Sequence, residues 1–334
     1  MKPFGYLRAL HTDQALAAYA AHPGAQYLAG GTNLVDLMKL GVAGPSFLVD
    51  ISRLPLDGVE ETPEGGLRVG ATVRNSDLAV HPLVRARYTV LSQALLAGAS
   101  AQLRNTATTG GNLLQRTRCP YFQDTSKPCN KRRPGTGCPA REGVHRDLAV
   151  LGHSAQCVAT HPSDMAVALA CLDAQVHLLG PDGERAVPVT DFHRLPGDRP
   201  EQDTVIRPGE LLTAVTLPPP AGVRSTYRKA RDRASYAFAL ASVAATLTIE
   251  NGVVRHAALA FGGLAATPWR ARAAEDILRE APATPQTYAR AVDAELAAAR
   301  PLRDNAFKVP LARNLAIRVL TELTSRPEET RTPS

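Results

Sequence analysis

Four cysteines, Cys119, Cys129, Cys138 and Cys157, lie in or beside one irregular stretch with the spacing C-x9-C-x8-C-x18-C. Thiolates serve as ligands of zinc or of iron–sulfur clusters, as halves of disulfides, and as nucleophiles. Zinc sites usually draw on close C-x2–4-C pairs, and the loop has none. Disulfides belong to oxidising compartments. The N-terminus, "MKPFGYLRALHTDQALAAYAAHPG", has no apolar core of signal-peptide type, so the chain by itself reads as cytoplasmic. An iron–sulfur cluster needs four thiolates on a permissive loop and tolerates wide spacing, although neither ferredoxin pattern occurs here. Spacing alone leaves a metal ion and a cluster both open. The fifth cysteine, Cys171 in "ALACLDA", sits among small apolar residues on a helix and is expected in the core.

The surrounding charge is as local as the cysteines. From Gln115 to Arg146 there are eight positive residues (Arg116, Arg118, Lys127, Lys131, Arg132, Arg133, Arg141, Arg146) and two negative ones (Asp124, Glu142). This segment therefore holds six of the chain's seven net positive charges. A basic chain invites a nucleic-acid reading, but an excess confined to one loop calls for a local explanation, and no nucleic-acid partner is expected.

Two glycine pairs form the second chemical signal. "LAGGTN" (28–33) follows a strand-like run and precedes a helix, and "TATTGGN" (106–112) adds hydroxyl and amide side chains. Paired glycines let the backbone approach a ligand and expose N–H groups, and a helix N-terminus favours phosphate. Either pair alone is also a plain tight turn. Neither matches G-x-G-x-x-G or G-x-x-x-x-G-K-[ST], which argues against a Rossmann fold or an NTPase.

The elements that must hold these groups alternate strands and helices in the first part of the chain. A helix is expected at 12–21 with Thr12 as N-cap, strands at "AQYL", "FLVDI" and "LRVGA", and helices in "RNSDLAVHPLV" and "LSQALLAGAS". "SDMAVALACLDA" reads as a helix beginning at Ser163 or Asp164. "QVHLLGPDGERAVPV" reads as a hairpin and "ELLTAVTLP" as a strand. "PPPAG" is the best domain boundary, dividing 1–221 from 222–328, with the cysteine insertion at about 115–157 inside the first part. Beyond it, two strands flank Asn251-Gly252, the strongest short hairpin signal. Helices are expected at about 268–280, 284–299 and 310–324, then a polar tail. At 334 residues and 44% hydrophobic content the chain suits two domains with a sizeable core. No run of about 18 apolar residues suggests a membrane span.

In order along the chain stand "LAGGTNLVDLMK", "GATVRNSDLA", "TTGGNL", "HPSDMAVALACLDA", "LPGD", "RPGELLTAV" and "YRKARDRASYAFALASVAATL". This ordered set resembles the FAD-binding subunit of the molybdenum hydroxylases, the xanthine dehydrogenase and carbon monoxide dehydrogenase family, over roughly residues 3–325. The resemblance implies an α+β, two-domain flavoprotein. Its first domain would be an FAD-binding domain of vanillyl-alcohol-oxidase (PCMH) type. Its second would be the smaller α/β C-terminal domain of carbon monoxide dehydrogenase flavoproteins.

Residue by residue, the resemblance puts Leu28, Ala29, Gly30, Gly31, Thr32, Asn33, Leu34 and Val35 in the loop around the FAD pyrophosphate. Thr108, Gly111 and Asn112 fall in the second loop facing the pyrophosphate and ribityl chain. It gives Asp164 the FAD hydroxyls, Ile206 the flavin ring as an apolar neighbour, and Lys229 the ring as a basic neighbour. The plain alternatives are a helix N-cap for Asp164 and a solvated strand lysine for Lys229.

A subset of the family, most like the periplasmic aldehyde oxidoreductases, inserts a loop carrying a [4Fe–4S] cluster after "GGN". That implies Cys119, Cys129, Cys138 and Cys157 as its ligands, with the basic residues offsetting the cluster's charge. The implied partners are a large molybdenum-cofactor subunit and a small subunit with two [2Fe–2S] clusters, in a heterotrimer or its dimer. The complex would reach the periplasm only on a partner's export signal. Substrate chemistry, on aldehydes or N-heterocycles, would belong to the large partner, so no catalytic residue is expected here. The competing readings are a cysteine-rich zinc-binding module and a stand-alone flavin oxidase of the same fold.

Overall fold

The structure, a computed structural model, describes residues 1–220 and 224–325. The chain opens with β1 (Gly5–Arg8), α1 (Thr12–Ala21), β2 (Ala25–Leu28), α2 (Leu34–Lys39) and β3 (Phe47–Asp50). The three strands form a parallel sheet in the order β1-β3-β2, and helices make the crossovers that parallel strands require. His11, not Thr12, occupies the N-cap position of α1, and no side chain caps it. The first glycine pair is the β2–α2 turn.

A five-stranded antiparallel sheet follows, built from β4 (Val59–Glu61), β5 (Leu67–Gly70), β6 (Gln175–Gly180), β7 (Gly183–Pro188) and β8 (Leu211–Leu217) in the order β4-β5-β8-β6-β7. Between β5 and β6 run α3 (Asn75–Val80), α4 (Pro82–Arg87), α5 (Thr89–Ala97), α6 (Ala101–Arg104), α7 (Thr109–Leu113), α8 (Pro120–Gln123) and α9 (Asp164–Cys171). Helix α10 (Val189–Phe192) follows β7. "RNSDLAVHPLV", expected to be helical, is two helices broken at His81. Pro82 disfavours helical backbone in the residue before it and starts α4 at its first position. Every residue of α9 is buried, so this helix has no polar face and acts as a central post.

Residues 115–157 contain little regular structure beyond α8 and a short 3-10 turn at Pro139–Arg141. Side-chain-to-backbone bonds hold the segment instead. The Asn130 side chain accepts from Gly137 N (2.7 Å) and donates to Gln156 (2.8 Å), while Arg132 donates to the carbonyls of Tyr121 and Phe122.

The rest of the chain is β9 (Arg224–Ala230), β10 (Ala241–Glu250), β11 (Val253–Gly262), β12 (Trp269–Arg270), α11 (Arg272–Leu278), α12 (Pro285–Leu296) and α13 (Lys308–Ser325). The strands form an antiparallel sheet in the order β12-β11-β10-β9, with the three helices following them. Asn251 and Gly252 both have positive φ (51° and 76°), as the two-residue hairpin turn requires. Along β10, Val243, Ala245 and Leu247 pack toward α11–α13, while Ala244 packs toward the first part of the chain. Both faces are thus covered, which explains the unbroken apolar run "ASVAATL". The helix expected at 268 starts at Arg272, because Trp269 and Arg270 pair with β11 instead. The boundary read at 221/222 and the tail beyond 325 lie outside the described residues.

One buried lysine ties the two parts together. Lys308, fully buried at the start of α13, donates to the carbonyls of Asp147 (3.0 Å), Leu148 (2.9 Å) and Gly263 (2.5 Å). Burial pulls its pKa down to about 7, while three carbonyl acceptors match the three N–H groups of an ammonium.

Candidate functional site

A cavity of about 800 Å³ opens where the two glycine loops, the start of α9 and the β9–β10 connection meet. Its size falls in the range of cofactor sites. Thr32 and Asn33 of the first loop, Gly111 and Asn112 of the second, and Asp164 line it. Leu28, Ala29, Gly30, Gly31, Leu34, Val35 and Thr108 are not among its lining residues.

The wall depends on close backbone contact. A Cβ on Gly30 would stand 2.0 Å from the Thr106 carbonyl oxygen, so the two loops touch where only glycine fits. Gly31 has φ +71°, and its carbonyl accepts from Val35 N to open α2. Thr108 N-caps α7 through Gly111 N (3.2 Å). Asn112 Oδ1 accepts from Ser163 (2.6 Å) and Gln115 (2.7 Å), tying the second loop to α9.

Residues lining the cavity carry buried polar atoms without a hydrogen-bond partner among the described residues, among them Asn33 Nδ2, Asn75 Oδ1 and His161 Nε2. Unpaired buried polar atoms are costly, and several around one cavity suit a ligand rich in donors and acceptors. FAD, with its ribityl hydroxyls, phosphates and heterocycle edges, has that chemistry.

Asp164 is the first residue of α9 and Ser163 is its cap, so the N-cap alternative for Asp164 does not hold. Its carboxylate is buried and accepts from Tyr227 Oη (2.5 Å) and Lys229 Nζ (2.7 Å). Burial and the Asp164 charge push the Tyr227 phenol well above its ordinary pKa. Lys229 is not a solvated strand lysine: its side chain is 4% exposed, paired with Asp164 and bonded to the Ala97 carbonyl. It stands behind Asp164 rather than on the cavity wall. Ile206 is likewise off the wall and packs against the core of the first part.

The four loop cysteines converge. Cys119, Cys129, Cys138 and Cys157 line one small cavity with Phe122, Ala140 and Val158, and all are free thiols. Burial pushes the Cys119 thiol up to about 12, against the N–H groups of Phe122 and Tyr121. Burial also raises Cys138 and Cys157, opposed by backbone N–H groups and by the charges of Arg141 and Lys131 respectively. Among the described residues no three His, Cys, Asp or Glu side chains are grouped closely enough to hold one metal ion. Cys119 lines both cavities. Cys171 is buried in α9 as expected, its thiol directed at the Ala258 carbonyl.

The basic residues are less free than their number suggests. Arg116 (2.7 Å) and Lys131 both pair with Asp203, outside the insertion, and Arg146 pairs with Asp232 (2.9 Å). Arg132 serves backbone carbonyls. Lys131 and Arg141 are the loop cations whose charges act on Cys157 and Cys138.

Half-buried His161 and buried His193 meet beside the large cavity, with ring centroids 4.2 Å apart. Burial lowers both pKa values, His193 to about 4 and His161 well below 6.5. The unfolded chain therefore binds more protons than the folded one between pH 6.5 and 4. This contribution to stability is complete above pH 6.5 and is lost as pH falls through that window. For His193 it amounts to roughly 3 kcal/mol. Urea titrations at pH 7 and pH 4.5 should show the loss, and His193→Gln should flatten it; an unchanged slope with pH would refute the assignment.

Sequence reasoning did not single out Asn75, His161 or Tyr227, and it named Arg118 only as one of the loop's cations. Each stands in or beside a quoted motif, but only the folded chain shows which side chains of a motif face the cavity.

The comparisons with known proteins come down on the same side. Residues 2–220 match the FAD binding domain in molybdopterin dehydrogenase, and residues 225–323 the CO dehydrogenase flavoprotein C-terminal domain. The chain is 52% identical over 324 residues to the aldehyde oxidoreductase FAD-binding subunit PaoB of Escherichia coli (strain K12), covering 96% of this chain and 98% of that one. It is 27% identical to the glyceraldehyde dehydrogenase medium chain of Sulfolobus acidocaldarius, over 81% of this chain and 79% of the other. Among solved structures, carbon monoxide dehydrogenase from Hydrogenophaga pseudoflava superposes with a TM-score of 0.77 at 26% identity, covering 97% of this chain and 99% of that one. Two matched domains spanning nearly the whole chain, around a cavity with the donors and acceptors FAD needs, place this protein among the FAD-binding subunits of the molybdenum hydroxylases, the oxidoreductases of aldehyde oxidoreductase and xanthine dehydrogenase type.

Proposed function

We propose that this chain is the electron-transfer subunit of a molybdenum-containing aldehyde oxidoreductase-like complex. It holds FAD in the large cavity and a [4Fe–4S] cluster on Cys119, Cys129, Cys138 and Cys157. Its partners are a large molybdenum-cofactor subunit and a small subunit with two [2Fe–2S] clusters. FAD would supply the exchange between one-electron carriers and a two-electron acceptor, and the cluster a one-electron relay.

The observation that carries the reading is the convergence of the four thiols on one cavity that shares Cys119 with the other. A four-iron cluster spreads its ligands wider than a single zinc ion does. It takes four thiolates, the number of cysteines that line the small cavity. This chain's residues have three tasks. The glycine loops give the pyrophosphate backbone donors. The Asp164–Tyr227–Lys229 group fixes the start of α9 at the cavity. Lys308 locks 147–148, next to the cysteine cavity, onto the C-terminal sheet.

We place folding and cluster insertion in the cytoplasm, with any export dependent on a partner. No helix among the described residues is long and apolar enough to cross a membrane.

The visible spectrum and metal content of the purified protein test the reading. Flavin bands over a broad iron–sulfur shoulder, with about four irons per FAD, are expected for this cluster type. A colourless protein containing zinc would favour the metal-binding module. Substrate turnover by the isolated subunit without molybdenum would favour a stand-alone flavin oxidase.

A further inference from the structure

The wall of the large cavity carries a cation that no carboxylate pairs with among the described residues. Arg118, immediately before Cys119, is half-buried and lines the large cavity. Its guanidinium is only partly engaged: Nη1 donates to the Arg116 carbonyl at 3.2 Å, and the group lies 5.3 Å from the Phe238 ring centroid. Among the described residues no carboxylate forms an ion pair with it. Of its basic neighbours in the insertion, Arg116, Lys131 and Arg146 each have one. Asp36, on α2, acts on Arg118 only through space. A guanidinium has five donors, and taking it partly out of water without an anion is costly.

Its position says which anion completes it. Arg116 N donates to Asn33 Oδ1 at 2.9 Å, so the chain entering Arg118 is fastened to the first glycine loop. Asp36 lies one turn further along the helix that this loop opens, and Gly111 and Asn112 of the second loop face the same cavity. Oxidised FAD carries its negative charge on the pyrophosphate, and the glycine loops are where the pyrophosphate would lie.

We propose that Arg118 is a pyrophosphate-binding residue of the FAD site, placing its planar fork on phosphate oxygens as that group does well elsewhere. This rests on the assignment of the large cavity to FAD. A residue of the cysteine insertion then also completes the flavin site, so the insertion and FAD retention are coupled.

Titration of deflavinated protein with FAD and with riboflavin, which has no phosphate, separates the possibilities; quenching of flavin fluorescence gives both affinities. In Arg118→Met the FAD affinity should fall about tenfold or more, the size of one charge-assisted hydrogen-bonding group, and the riboflavin affinity should stay within about twofold. Arg118→Lys should recover most of the loss. The wild-type affinity for FAD should weaken with added KCl, and less so in Arg118→Met. Should the methionine variant not be recovered folded, Arg118→Gln carries the same expectation. Equal FAD affinity in variant and wild type, or equal losses for both ligands, would overturn the proposal. Failure of the cavity assignment looks different: wild type would bind neither ligand, or a Gly30 substitution would leave both affinities unchanged.

Discussion

Gly30→Val is expected to leave the purified protein with less than about a tenth of its FAD, while most of it stays folded. Any Cβ at position 30 would meet the Thr106 carbonyl oxygen at 2.0 Å, its carbon at 2.9 Å and Ala107 Cα at 3.3 Å. These are backbone atoms, so no rotamer change relieves the clash, and the two glycine loops must move apart. Overpacking of this kind costs about 1–3 kcal/mol. That is a fraction of the stability of an ordinary domain, but it falls on the contact that sets the loop-to-loop spacing at the cofactor cavity. Gly44→Ala is the control, because its nearest neighbour is the flexible end of Lys2 at 3.6 Å. Flavin absorbance per chain after gel filtration, together with a thermal melt, reads both effects. Stoichiometric FAD in Gly30→Val would show that the loop contact does not shape the site.

The second large effect is expected from Cys129→Ser: loss of nearly all iron with most of the FAD retained. Cys129 lines the small cavity and not the large one. Its backbone is held independently of its sulfur, with its N–H donating to Thr136 Oγ1 at 3.1 Å. A serine hydroxyl resists deprotonation and makes a poor ligand to iron, so the cluster should fail while the loop keeps its path. Cys119→Ser should behave differently, losing iron and also weakening FAD, because Cys119 belongs to both walls. Cys171→Ser, on neither cavity wall, should lose neither. Iron analysis and low-temperature electron paramagnetic resonance of the reduced protein decide. Unchanged iron in Cys129→Ser removes that residue from the ligand set, and stoichiometric zinc in the wild type removes the cluster.

Much of the fold is legible in the amino-acid sequence alone. The Asn251-Gly252 hairpin, the strands "AQYL" and "FLVDI", and the helix after Ser163 depend on local rules of turn chemistry, period and capping, and each forms as those rules predict. Local rules fail where tertiary contact outvotes them. Trp269 and Arg270 join the edge of a sheet instead of a helix, and Pro82 cuts one expected helix into two. At the site, the glycine loops and Asp164 reach the cavity wall, whereas Ile206 and Lys229 do not. A motif preserves order along the chain but does not say which side chain turns toward the ligand.

By itself the sequence determined the kinds of chemistry: four thiols in one loop, two glycine turns, and the ordered motifs of an FAD-binding subunit. It did so because turn glycines, ligand thiols and hairpin residues are required by atom type and backbone conformation, which are local properties. The tertiary structure alone decided what these groups share. It brought Gly30 against Thr106, set Cys119 in the walls of two cavities, and paired Arg116 and Lys131 with Asp203 while no carboxylate among the described residues pairs with Arg118. Those relations join residues far apart in the chain through packing and electrostatics, and no spacing rule encodes them.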